Sequence, residues 1–178
     1  AEKLAGFGLA SHSYILVHPT SRWMFKSWDI PALAATIDTL ASRGLPVILS
    51  AAPSREETDY MDKLRAALTQ PVSDLSGQLN LKQLGALMKH ARIYFGVDSM
   101  PMHLASAVGT PTVAIFGPTG AIKWAPWGVP HRVITAGFTC QPCGKAGCGD
   151  SGVSDCITAI TPQQVLSAID TLLLETPA

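Results

Sequence analysis

The stretch GVDSMPMHLASAVGTPTVAIFGPT, residues 96 to 119, decides how this chain is read. It starts at the end of Ile93 to Val97 (IYFGV), an apolar run short enough to predict a buried strand. Asp98-Ser99 then opens a helix. Ser99 stands at its cap, Pro101 fixes the first turn without wasting a donor, and Gly109 is the stop. Thr112 to Phe116 (TVAIF) is the next buried strand. Strand, helix, strand implies a right-handed crossover between parallel strands. Asp98 then sits at the mouth of the sheet, and the N–H groups of Met100, Met102 and His103 are expected to face outward. Unsatisfied donors and the helix macrodipole both favour negative charge, so this turn is a candidate anion site. Taken alone, the stretch is served equally well by an ordinary capped helix whose Asp98 only orients the turn.

The same rhythm runs outward in both directions. Upstream, Tyr14 to Val17 (YILV) is a short strand that breaks into the polar, aromatic loop HPTSRWMFKSW, residues 18 to 28. Asp29 caps a helix with Pro31 in its first turn, Leu33, Ile37 and Leu40 form its apolar stripe, and Gly44 closes it. Val47 to Leu49 is a strand, and Ser54 with Glu57 makes a capping box for a helix through about Leu68. Val72 to Leu75 is a further short strand, and Asn80 with Gln83 opens a helix ending near Ala91. Downstream, Thr161, Pro162 and Gln164 start the final helix. Residues 117 to 128 and 140 to 156 are expected to be irregular. The alternation predicts a Rossmann-like three-layer α/β/α fold with a mainly parallel sheet. Ligands of such sheets bind beyond the carboxyl ends of the strands, which points to loops 18–28, 50–57 and 98–101.

Composition narrows the partners. Hydrophobic residues make up 47% of the 178, which fits a sheet buried on both faces. Lysine and arginine total 13 against 13 acidic residues, so no basic excess points to nucleic acid. An anionic ligand must be held by local donors. No apolar run reaches the ~18 residues of a spanning helix, and the opening AEKLAGFGLASHS carries no signal-peptide pattern. A cytoplasmic domain is the expectation.

Within the three loops, Thr20 and Ser21 offer hydroxyls and Lys26 a compact charge suited to a pyrophosphate. Against that stands the ordinary surface lysine. In loop 50–57, an acidic residue after a strand suits ribose hydroxyls. Glu56 is the candidate, because Glu57 is committed to the capping box; acidic residues also gather in first helical turns for dipole reasons alone. His103 lies one turn into the helix after Asp98, where it reaches the ligand or packs at the surface. His18 ends the first strand and lines the cleft. Neither histidine has a partner spaced like a nucleophilic triad. Trp124 and Trp127 pack under the sheet or shape a pocket, with packing favoured. Cys140, Cys143, Cys148 and Cys156 follow C-x2-C-x4-C-x7-C. They suit a structural zinc or remain free or partly oxidised thiols, the second being favoured; either way they serve a long loop and not catalysis.

Together, HPTS with Lys26 after the first strand, GVDSMPMHLASAVGTP, and AIFGPT followed by WAPWG resemble the heptosyltransferases of lipopolysaccharide core assembly, glycosyltransferase family 9. The tail CQPCGKAGCGDSGVSDC is similar to the heptosyltransferase III members of that family. The resemblance spans roughly residues 14 to 174, and D-S-x-P-M-H-L-A is its specific part. It implies the C-terminal, donor-binding half of a two-domain GT-B glycosyltransferase, with residues 1–178 forming that single domain and the acceptor domain absent. Heptose would pass from ADP-heptose to the lipopolysaccharide inner core with inversion, with no obligatory metal. The acceptor would be read by the missing domain, at the inner face of the inner membrane. Lys26 would lie at the donor diphosphate and Asp98 at the donor sugar and phosphates. Ser99 and Met100 would supply backbone donors, and Thr20 and Ser21 would line the diphosphate. The general base would lie in the missing half, leaving this piece able to bind donor without turning it over. The rival readings are a UDP- or GDP-sugar enzyme of the same architecture and a nonenzymatic, zinc-stapled interaction module.

Overall fold

The computed structural model describes residues 10–176. The first nine residues of the opening read for a targeting signal lie outside them. Six strands form one sheet: β1 (Ile15–His18), β2 (Val47–Leu49), β3 (Ser73–Asp74), β4 (Ile93–Val97), β5 (Thr112–Ile115) and β6 (His131–Ile134). Their order is β3-β2-β1-β4-β5-β6, and every adjacent pair is parallel. The expected mainly parallel sheet is therefore wholly parallel among the described residues. β6 was not anticipated. HRVI has no apolar run, and only Ile134 of its four residues is buried, so its edge pairing with β5 leaves little trace in sequence.

β1, β2, β4 and β5 are apolar and buried because helices cover both faces, whereas the edge strands β3 and β6 are more polar. On one face Ile15 and Val17 of β1 pack with α1 (Ile30–Ser42), α2 (Arg55–Ala67) and α7 (Pro162–Glu175). On the other, Tyr14, Leu16 and Tyr94 pack with α3 (Leu81–Lys89) and α4 (Met100–Ala107). The two-residue period of the strand sorts its side chains between these layers.

The helix boundaries follow their caps. Asp29 accepts from the Ala32 amide, and complete capping boxes form at Asn80/Gln83 and Thr161/Gln164. The box expected at Ser54/Glu57 is only half made. Ser54 accepts from the Glu57 amide, but the Glu57 carboxylate leaves the Ser54 backbone for tertiary partners. Of two short helices, α5 (Ala121–Trp124) lies inside a segment expected to be irregular and α6 (Asp155–Thr158) begins at the end of the other.

The strand order reverses between β1 and β4, the switch point at which such sheets open a crevice. Gly96 lets them meet there. A Cβ on it would lie 2.6 Å from the His18 carbonyl oxygen and 2.5 Å from the Tyr94 hydroxyl. Any side chain at 96 would push β1 and β4 apart just where the crevice is built.

Candidate functional site

The crevice holds a cavity of about 790 Å³, in the range of sites for small ligands and cofactors. Residues from all three expected loops line it, including His18, Ser21, Lys26, Ser50, Glu57, Asp98, Ser99 and Met100. His103 lines it from one turn along α4. Thr20 is fully buried behind the wall.

At the switch point the Lys26 Nζ donates to Asp98 Oδ2 at 2.6 Å. The two side chains are only 15% and 7% exposed, so water screens the pair weakly. Lys26 comes from a 3-10 turn, Met24–Lys26, in a loop tied down at several points. The Trp28 indole is buried edge-on against Phe95 and donates to the Ile160 carbonyl. The Ser154 hydroxyl donates to the Phe25 carbonyl at 2.7 Å. Ser21 donates to the Trp23 carbonyl and accepts from its amide. A flexible lysine stem is thus carried on a rigid base.

The turn at α4 differs from expectation in detail. Ser99 holds the cap position, but its hydroxyl donates back to the Val97 carbonyl and caps no amide. The amides of Met102 and His103 are both taken by the Ser99 carbonyl. Of the three donors expected to face outward, Met100 alone remains, and the Ser99 amide joins it. Neither of these two has a hydrogen-bond partner among the described residues. The anion-binding end of the helix is narrower than expected and shifted one residue upstream.

Glu57, assigned by sequence to a cap, is instead the hub of a buried polar network. Its Oε2 accepts from the Thr20 hydroxyl at 2.6 Å and from the Ala52 amide at 3.0 Å. Glu57 lines the cavity, whereas Glu56 is exposed and outside that lining. The acid that loop 50–57 presents to the crevice is therefore Glu57. The signal that would have found it, a hydroxyl 37 residues upstream, is invisible to a local capping rule.

His18 does have triad-like neighbours, contrary to expectation. Its Nδ1 lies 3.0 Å from Ser50 Oγ, and its Nε2 is 3.9 Å from Glu57 Oε2. The arrangement is a poor nucleophile system. Ser50 is 1% exposed, and 3.9 Å is beyond a hydrogen bond. Burial, only partly countered by Glu57, lowers the His18 pKa to about 4, so the ring is a weak base.

Two further features depart from the sequence reading. Trp124 and Trp127 do not pack under the sheet. Trp124 is 44% exposed and lines the cavity, while Trp127 is 87% exposed. The cysteines are all free: Cys140 and Cys143 are exposed, Cys148 is half-buried and Cys156 is buried. Burial and then the neighbouring thiols raise the Cys156 pKa. Among the described residues no three histidine, cysteine or acidic side chains form a metal-ligand group, so the zinc alternative gains no geometric support. This segment's observed service is the Ser154 brace on the Lys26 loop.

A parallel sheet with a lysine, an aspartate and open helix amides at its switch point forms a crevice whose chemistry suits an anionic, phosphate-bearing ligand. The family model for glycosyltransferase family 9 (heptosyltransferase) matches residues 1–153, and the chain belongs to that family. It is 40% identical over 124 residues to lipopolysaccharide heptosyltransferase 3 of Escherichia coli, covering 69% of this chain and 36% of that protein. It is 26% identical over 186 residues to lipopolysaccharide heptosyltransferase 1 of Pseudomonas aeruginosa, covering 97% of this chain and 51% of that one. The fold matches the E. coli ADP-heptose lipopolysaccharide heptosyltransferase II with a TM-score of 0.81 at 24% identity, covering 99% of this chain and 51% of that one. The E. coli heptosyltransferase WaaC solved with ADP superimposes with a TM-score of 0.71 at 17% identity, covering 91% and 45%. The chain spans about a third to a half of the length of these relatives.

Proposed function

We propose that this chain is the donor-binding half of an inverting heptosyltransferase that uses ADP-heptose to extend the lipopolysaccharide inner core. The observation that carries the reading is the Lys26–Asp98 pair standing beside the open amides of Ser99 and Met100 in the cavity. Family membership supplies the reaction class. No helix among the described residues is long and apolar enough to cross a membrane. The proposed place of action is the cytoplasmic face of the inner membrane, with the lipid-linked acceptor and the general base held by a second domain.

The sheet order orients the donor. The β2 and β3 side of the cavity offers Ala51, Ala52, Pro53, Leu79, Leu81 and Leu84, an apolar slot for a base. Glu57, in the first turn of the helix that follows β2, stands where an acid meets ribose hydroxyls in such sheets. The diphosphate then falls at the middle, over the ends of β1 and β4. The donor sugar lies toward β5. Adjacent strands are about 4.8 Å apart, so β2 to β5 spans roughly 14 Å of sheet edge.

In the reaction an acceptor hydroxyl attacks the anomeric carbon, the bond from that carbon to the diphosphate oxygen breaks, and ADP leaves with the electron pair. Charge builds on the leaving diphosphate. Lys26 and the two amides are fixed where it develops, which is electrostatic stabilisation without reorganisation. A carboxylate beside a diphosphate is repulsive, so Asp98 serves by aiming the Lys26 ammonium and by accepting from sugar hydroxyls. No step here requires a metal.

Thermal shift and calorimetry with ADP, UDP and GDP test the reading. Stabilisation by ADP above the other two is expected. A response to UDP alone would transfer the chain to another sugar nucleotide.

A further inference from the structure

Beyond the diphosphate grip, the β5 side of the cavity carries a polar group that no observed hydrogen bond accounts for. Thr119 lines the cavity, and its Oγ1 is buried without a hydrogen-bond partner among the described residues. A threonine that merely filled space there would leave a costly orphan; a valine of the same shape would not. Trp124, from the same loop after β5, also lines the cavity. Its indole is held rather than loose: the Lys123 ammonium lies 5.0 Å from the ring centroid, and the His103 ring meets it edge-on at 6.2 Å. An exposed tryptophan fixed on two sides, presenting its remaining surface to a cavity, is a platform for a ligand with both apolar C–H faces and hydroxyls.

We infer that Thr119 and Trp124 are the residues that read the sugar of the donor, with His103 positioning the indole. Thr119 Oγ1 hydrogen-bonds a ring hydroxyl, and the pyranose C–H face rests on Trp124. The inference rests on the donor reading above and adds to it a specificity element on the loop after β5. The chemistry requires it on that side, because the apolar slot and Glu57 occupy the β2 side. A site built to pair a substrate hydroxyl discriminates strongly against ligands that lack it.

The test is calorimetric binding of ADP and of ADP-heptose to the wild-type chain, Thr119→Val and Trp124→Ala. Both substitutions leave the buried core intact. ADP affinity is expected to stay within about twofold of wild type in both variants. ADP-heptose affinity should fall about three- to tenfold in Thr119→Val, the worth of one neutral hydrogen bond, and about tenfold in Trp124→Ala. Equal losses for ADP and ADP-heptose would mean a merely structural role and overturn the inference. So would unchanged ADP-heptose affinity in both variants. If the wild-type chain bound neither ligand, the donor reading would fail first and this inference with it.

Discussion

The two loops that flank the crevice are built on opposite plans. The loop after β1 is anchored along its length. Trp28 is sunk in the core, Thr20 is bound to Glu57, and Phe25 is braced by Ser154. The loop after β5 is held near its root, where Gln141 donates to the Gly117 carbonyl and the Gly144 amide to the Pro118 carbonyl. Beyond that point Ile122 and Trp127 stand in solvent. On the proposed donor reading, the difference follows from what each loop handles. Charge stabilisation falls away with small displacements, so its donor must be preorganised. A sugar is held by several weaker contacts and tolerates a softer wall.

The sharpest way to break this contrast is Trp28→Ala. Loss of a fully buried aromatic should cost about 3–5 kcal/mol of stability, and it should free the segment that carries Lys26. Urea denaturation checks the first effect and amide exchange across residues 20–28 the second. An intact, protected loop in a stable variant would mean that the anchoring is redundant. Lys26→Ala comes next. It removes a charge-assisted contact worth about 1.5–3 kcal/mol, so ADP affinity should fall by roughly one to two orders of magnitude. The fold should survive, because the loop's anchors lie elsewhere. Asp98→Asn should lose less, since an amide still accepts from the ammonium. Donor affinity that is unchanged in both variants would remove the pair from the site.

How much of this was legible in the sequence follows the same divide. Caps are local chemistry, and Asp29, Asn80 and Thr161 marked three helix starts where the structure has them. Four of the six strands showed as short apolar runs because both faces are covered, and a fifth, β3, lies within the expected Val72 to Leu75. The rule that ligands sit beyond the strand ends then pointed to three loops, and all three line the cavity. What failed was decided by partners distant in sequence. Glu57 obeyed the capping rule until Thr20 and the Ala52 amide claimed its carboxylate. His18 gained Ser50 and Glu57 from a neighbouring strand end and helix. Trp124 looked like core because tryptophan usually is, and only the position of α5 beside the cavity turns it outward.

The buried network behind the anchored loop adds a pH dependence. His18 titrates near its ordinary 6.5 when unfolded and at about 4 when folded. The folded state therefore resists protonation, and stability is full above pH 6.5 and declines as pH falls toward 4. Between pH 7 and pH 5 the loss from this one group is about 2 kcal/mol. Denaturation at the two pH values should show it, and His18→Asn should flatten the slope. An equal slope in that variant would place the acid sensitivity in other groups.

The smallest expected effect is the most informative about the β5 loop. Trp127 is a large aromatic beside Trp124 in sequence, yet it is 87% exposed and does not line the cavity. With so little surface buried, Trp127→Ala should change stability by less than about 0.5 kcal/mol. It should leave ADP and ADP-heptose binding alone, in contrast to Trp124→Ala. A loss of ADP-heptose binding would show that Trp127 folds over the donor once it is bound. The β5 loop would then be a moving cover, and its having anchors only near its root would serve that movement rather than a softer wall.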